Sequence, residues 1–133
     1  MFYDRTIRLA DTDAAGVIYF ASLLSICHEA YEACLEKTGI SLQPFLKDAS
    51  CAIPIVHAEI DFQRPIYYGD QIRITVTPQF LSETEFESEY LITKISEPET
   101  FALAKTRHVC IDPQKRRRMP LPTSIMAWLD TKN

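Results

Sequence analysis

The stretch DTDAAGVIYFASLLSICHEAYEACLEKTG, Asp11 to Gly39, decides the fold. Phe20, Leu23, Leu24, Cys27, Tyr31, Cys34 and Leu35 recur at helical spacing, while Ser22, Ser25, Glu29, Glu32 and Glu36 fall mainly on the opposite side. The pattern predicts a helix from about Tyr19 to Thr38, closed by Gly39, where the chain must turn out of the helix. A lone helix of that length needs something wrapped around it.

Short strand patterns surround it. Tyr3 to Leu9 reads as a strand before the helix. Downstream, Val56, Ala58, Ile60 and Phe62 alternate with His57, Glu59, Asp61 and Gln63. After a turn through Pro65 and Gly69-Asp70 the alternation resumes at Ile72, Ile74, Val76 and Phe80. Thr84 to Ile95 is a third downstream strand and Phe101 to Asp112 a fourth. In the last, Ala102, Ala104, Thr106, His108 and Cys110 share one face, with Phe101, Leu103, Val109 and Ile111 on the other. Strand, helix, then strands joined by short turns argues for an antiparallel sheet in an α+β domain.

The 133 residues fit one domain, 1–133, with no linker or repeat. No transmembrane run or secretory signal is visible. Cys27, Cys34, Cys51 and Cys110 have neither zinc-ligand nor disulfide-framework spacing, and with three scattered histidines they point to a reduced cytosolic setting without a metal. Cys27 and Cys34 lie on the apolar helix face and read as small core residues; His28 and His108 read as structural. The net charge of −4 argues against general nucleic-acid binding.

Chemistry concentrates before the helix. Its first N–H groups lack intrahelical partners and carry partial positive charge, so they can stabilise a developing oxyanion. A carboxylate just upstream, Asp11 or Asp13, can attack a carbonyl or activate water. The same residues also make an ordinary turn, with Gly16 supplying a positive φ. The basic run Lys115-Arg116-Arg117-Arg118, beside Pro113 and ahead of Pro120 and Pro122, reads as a loop or tail outside the sheet. It is either a solvated surface or a phosphate clamp. His57 falls on the polar face of its strand, hydrogen-bonded or solvated.

The segment Asp11 to Phe20, followed by the helix through Glu29 and Glu32 and then by DFQRPIYYGD at Asp61 to Asp70, resembles the hotdog-fold acyl-CoA thioesterases of the 4-hydroxybenzoyl-CoA thioesterase type, over nearly the whole chain. CHEAYE at 27–32, PIVHA at 54–58 and HVCI at 108–111 look like the cyanobacterial branch that hydrolyses 1,4-dihydroxy-2-naphthoyl-CoA in phylloquinone (vitamin K1) biosynthesis. The resemblance implies a long central helix wrapped by a curved antiparallel sheet of about five strands. It further implies two such units side by side, active sites at their interface, and commonly a dimer of dimers, a homotetramer. Asp13 matches the catalytic carboxylate, and the backbone N–H of Phe20 the donor that polarises the thioester carbonyl. Gly16 would let the backbone approach substrate, and Tyr19 would line the acyl site. His57 would contact an aryl hydroxyl or the neighbouring subunit, and Arg116, Arg117 or Arg118 the coenzyme A phosphates. Coenzyme A is then part of the substrate, and no separate cofactor is implied.

Other readings use the same residues. A related branch places its carboxylate on the helix, which would make Glu29 or Glu32 the working group. A thioesterase for fatty acyl groups, on coenzyme A or an acyl carrier protein, would equally use the arginines. A non-catalytic acyl-binding module would keep the pocket without needing Asp13.

Overall fold

The computed structural model describes residues 1–131; residues 132 and 133, the last of the expected domain, lie outside the described residues. Strand β1 (Phe2–Thr6) and a 3-10 turn (Leu9–Asp11) precede helix α1 (Phe20–Lys37) and a short α2 (Leu42–Lys47). Strands β2 (Ile55–Phe62), β3 (Gln71–Ser82), β4 (Glu85–Lys94) and β5 (Glu97–Val109) follow. A two-residue ribbon, β6 (Ile111–Asp112) and β7 (Arg117–Arg118), leads into α3 (Thr123–Leu129).

The main sheet has five strands in the order β1-β3-β4-β5-β2, every pair antiparallel. Register shifts at Ile55/His57, Phe80/Ser82 and Ile92/Thr93 bend the strands, as bulges do, and curve the sheet. Alternation holds over most of three strands: Ile72, Ile74 and Val76 of β3, Phe86, Tyr90 and Ile92 of β4, and Ala102, Ala104, Thr106 and His108 of β5 face the core, but Phe80, expected with the first group, is exposed, and Phe101 and Val109, expected on the outer face of β5, are buried. From α1 come Leu23, Ile26, Cys27, Ala30, Tyr31, Cys34 and Leu35. Leu23, Ile26 and Leu35 each contribute on the order of 2 kcal/mol by burial. The small residues of β5 leave room for larger neighbours: Tyr90 pairs across from Ala104, and its hydroxyl lies 2.9 Å from that of Thr106.

Three other sequence readings change. Phe20, counted on the apolar face, is 61% exposed, because as the first helical residue it stands beyond the end of the sheet-covered stretch. Helices α2 and α3 carry too few turns for a periodicity to show, yet α3 buries Ile125 and Trp128. The basic run does lie outside the main sheet, but as an ordered hairpin: Asp112 Oδ1 accepts the N–H groups of Gln114 (2.9 Å) and Lys115 (3.1 Å), and Arg116 turns at φ 53°.

His108 lies at the centre of an aromatic cluster. Its ring stacks on Phe86 (centroids 4.6 Å) and tilts against Tyr31 (4.7 Å), while Trp128 meets both of those residues edge-on. Nε2 lies 2.8 Å from the Thr106 hydroxyl. Burial, helped by the proximity of His28, pushes its pKa down to about 4. The unfolded chain therefore takes up a proton near pH 6.5 that the folded chain refuses until about pH 4. Stability from this residue is complete above pH 6.5 and is lost as pH falls towards 4, by about 3 kcal/mol. Urea unfolding between pH 7.5 and about 4.5 should show that slope in the wild type. His108→Gln should flatten it; an unchanged slope in the variant would assign the loss to other groups.

Candidate active site

The loop between the 3-10 turn and α1 doubles back on itself. Thr12 bridges Ile18, the Asp13 N–H donates to the Val17 carbonyl (2.9 Å), and the Tyr19 N–H donates to the Asp11 carbonyl (2.8 Å). Gly16 makes the reversal at φ +77°; open space surrounds its missing Cβ, so backbone strain alone selects glycine. Asp13 is exposed beside this turn. Its Oδ1 accepts the N–H groups of Ala15 (2.8 Å) and Val17 (3.4 Å), and Oδ2 has no hydrogen-bond partner among the described residues. One oxygen orients the carboxylate and the other is free to react.

The two sequence motifs meet here. The Ile18 N–H donates to the Ile66 carbonyl (2.7 Å), the Tyr68 N–H donates to the Gly16 carbonyl (3.0 Å), and Val17 bridges Tyr67. Helix α1 then starts with Tyr19 as an N-cap that makes no side-chain cap. The Phe20 N–H meets no acceptor among the described residues, as expected of the first helical position. Beside it opens a groove of about 380 Å³ lined by Val17, Ile18, Phe20, Phe62, Gln63, Arg64, Pro65 and Ile66. Tyr19, Tyr67 and Tyr68 are exposed around the same end.

Asp11, two residues before Asp13, has the opposite environment. It is buried, and its carboxylate accepts from the Arg5 guanidinium and from the Arg8 N–H (2.8 Å). Burial opposes its charge, but the Arg5 and Arg8 contacts prevail and hold its carboxyl below the usual range. Arg5 also bonds Glu29 (Nε to Oε2, 2.9 Å), which accepts from the Tyr3 hydroxyl at 3.1 Å. Glu29 is thus occupied rather than simply solvated, while Glu32 is exposed at the mouth of a separate apolar cavity between α1 and α2.

The remaining expected site residues lie elsewhere in the protomer. His57 is exposed on β2 with its Nε2 3.4 Å from Glu59, in register with Arg107. Phe62, at the groove, is in register with Ala102, and Ile55 at the other end of β2 with His108. From Ala102 to His108 is roughly 20 Å at strand rise. The basic hairpin lies beyond that far end, where Arg118 pairs with Glu85 (3.0 Å) and neither Arg116 nor Arg117 makes an ion pair among the described residues. The structure brings Asp13, Gly16, Tyr19 and Phe20 together and sets His57 and the arginines apart from them. The wall Phe62-Gln63-Arg64 and the Arg5 network went unread in the sequence. The first was legible as the continuation of the DFQRP motif; the second joins residues 24 apart and has no local signal.

A family model described as the thioesterase-like superfamily matches residues 7–129. A relative from Rippkaea orientalis named 1,4-dihydroxy-2-naphthoyl-CoA hydrolase is 61% identical over 128 residues, spanning 96% of this chain and 93% of its own. One of the same name from Gloeothece citriformis is 55% identical over 130 residues, 97% of this chain and 91% of its own. The crystal structure of a 1,4-dihydroxy-2-naphthoyl-CoA thioesterase from Synechocystis superposes with a TM-score of 0.93 at 39% identity, covering 96% of this chain and 93% of that one. The arrangement of helix and sheet is the hotdog fold.

Proposed function

The chain belongs to the thioesterase-like superfamily, and from that premise we propose that it hydrolyses the thioester of 1,4-dihydroxy-2-naphthoyl-CoA to the free acid and coenzyme A, a step of phylloquinone biosynthesis. Relatives of 61% and 55% identity that carry that name support the substrate. The observation that carries the chemistry is the Asp13 Oδ2 and, at the same end, the Phe20 N–H, neither with a partner among the described residues, beside an open groove.

The mechanism uses that pair. Asp13 attacks the thioester carbonyl, or takes a proton from the water that does. Either route puts negative charge on the carbonyl oxygen, and the Phe20 N–H, backed by the helix N-terminus, stabilises it. The C–S bond breaks and the coenzyme A thiolate leaves; the water route gives the free acid directly, and on the direct route water then hydrolyses the mixed anhydride left on Asp13, releasing the acid and restoring the carboxylate. Gly16 keeps the turn free of a side chain, and Tyr19 with Phe20 offers aromatic surface to a flat bicyclic acid. Coenzyme A enters as part of the substrate, and no separate cofactor takes part. No helix among the described residues is long and apolar enough to cross a membrane, and four free cysteines suit a reducing cytosol.

Two copies complete the site in this reading. β2 is an edge strand, exposed along its length except for half-buried Ile60, and it shows Ile55, Val56 and Phe62 to solvent. Such an edge is a template for another strand. Pairing with a second copy about a two-fold axis reverses strand direction, so the copy's His57 and basic hairpin come alongside this protomer's groove. That supplies the phosphate contacts the protomer lacks at its own groove, and two such dimers make the homotetramer.

Asp13→Asn should keep fold and substrate binding while kcat falls by about three orders of magnitude or more, as for loss of a group used only in the chemical step. Glu32→Gln should leave turnover unchanged. Near-normal turnover in Asp13→Asn would rule the mechanism out.

Replacing Arg116, Arg117 and Arg118 by alanine should raise KM for the full coenzyme A thioester, and salt should raise the wild-type KM. A substrate truncated before the nucleotide should respond to neither. Equal responses from both substrates would show that the hairpin holds no phosphate.

A further inference from the structure

We infer that Arg5 is a positioning residue for the hydrolysis, its guanidinium clamped between Asp11 and Glu29 so that the Asp13 loop and helix α1 keep a fixed offset. The inference rests on the reading of Asp13 and the Phe20 N–H as the reacting pair. Arg5 projects from β1, a third element that belongs to neither part of that pair. One arm reaches Asp11 through Nη1 and Nη2; the other reaches Glu29 through Nε at 2.9 Å and Nη2 at 3.4 Å. Asp11 is the root of the loop: Asp13 follows it by two residues, and its carbonyl holds the N–H of Tyr19, the residue before Phe20. Glu29 stands on α1 itself and is steadied by the Tyr3 hydroxyl at 3.1 Å.

The loop has no need of this clamp to form. Its own backbone bonds, Asp13 to Val17, Gly16 to Asp13 and Tyr19 to Asp11, already close it. The helix is likewise held by its buried face. What the guanidinium adds is a tie between the two, and its planar fork makes the tie directional where a lysine would make a single point contact. Small errors in the approach of a nucleophile to a carbonyl are expensive in rate even when the mutation lies away from the chemistry. Arg5 itself does not line the groove beside Phe20.

The experiment measures kcat and KM for wild type, Arg5→Ala, Arg5→Lys, Glu29→Gln and Asp13→Asn on the aryl coenzyme A thioester. In Arg5→Ala kcat should fall about 10- to 100-fold with KM within about twofold, as for a displaced reacting group. Arg5→Lys should fall between Arg5→Ala and wild type. Free guanidinium, kept well below unfolding concentrations, should recover several-fold of the Arg5→Ala rate. It should leave wild type and Asp13→Asn unimproved, and urea at the same concentration should recover nothing. A variant that had only lost stability would be slowed further by guanidinium, so absence of rescue overturns the inference. If Arg5→Ala does not fold, Glu29→Gln, which weakens the helix arm alone, decides: a several-fold fall in kcat supports the clamp, and an unchanged kcat overturns it. If Asp13→Asn abolishes turnover while the Arg5 and Glu29 variants keep it, the Arg5 role alone falls. If Asp13→Asn keeps turnover, the reading of the site falls with it.

Discussion

One helix of eighteen residues has to bury one face against five strands, and the rest of the molecule follows from that constraint. A flat sheet would cover too little of α1. The register shifts in β2, β3 and β4 bend the sheet, and small residues on the core face of β5 leave space for Tyr90, across from Ala104. The helix is thereby fixed along its length, with Leu23 and Leu35 near its two ends both buried. Its N-terminus then emerges at one place only, beside Pro65 and Ile66. On the proposed mechanism the oxyanion donor at the start of α1 must not move during the reaction, and the hydrophobic core supplies that immobility.

Two carboxylates separated by one residue divide the work of the adjoining loop. Asp11 is buried, ionised and fully engaged by Arg5 and the Arg8 N–H, so it holds the loop and is unavailable for chemistry. Asp13 is exposed, with a single oxygen engaged by the turn. Place in the loop accounts for the contrast: Asp11 ends the 3-10 turn within reach of Arg5 and the Arg8 N–H, whereas Asp13 stands at the reversal through Gly16, where the N–H groups of its own turn meet it. Glu29 belongs with Asp11 in this division. Its two donors, Arg5 and Tyr3, leave it poorly suited to act as a base, which weakens the reading of a helix-borne catalytic carboxylate.

The long helix was legible in the sequence because five turns give the 3.6-residue period room to show, and the strands because one face of the sheet is buried and the other is not. Periodicity does not mark where burial begins, so it puts Phe20 on the apolar face although the residue is exposed. Short helices carry no such signal: α3 is apolar without a break from Ile125 to Leu129, so its buried pair Ile125 and Trp128 does not stand out as a period. Asp13 and Gly16 were readable as a turn before a helix, and the resemblance gave them roles. Arg5 was not, since β1 alternation assigns it merely to a strand face and its partners lie six and 24 residues away. The hairpin at Arg116 hides for another reason: Asp112 makes the turn with its side chain, and a non-glycine residue takes the left-handed position.

The two edges of the sheet differ in a way that bears on assembly. At β1, Arg73 lies 4.0 Å over the Phe2 ring and pairs with Asp4, and Lys37 donates to the Phe2 carbonyl at 3.2 Å, so charged groups and a blocked carbonyl guard that edge. At β2 the exposed residues include Ile55, Val56 and Phe62, and among the described residues no charged pair guards the strand beyond the contact of its own His57 with Glu59. A chain that protects one edge and leaves the other apolar has an asymmetry that the second copy proposed on β2 would resolve. The same proposed pairing would also answer the separation within the protomer, where the groove and the basic hairpin sit at opposite ends of β2. A two-fold axis across that edge would superimpose each end on its opposite, so the exposed strand and the distance between the proposed chemistry and the proposed phosphate contacts would have one common solution.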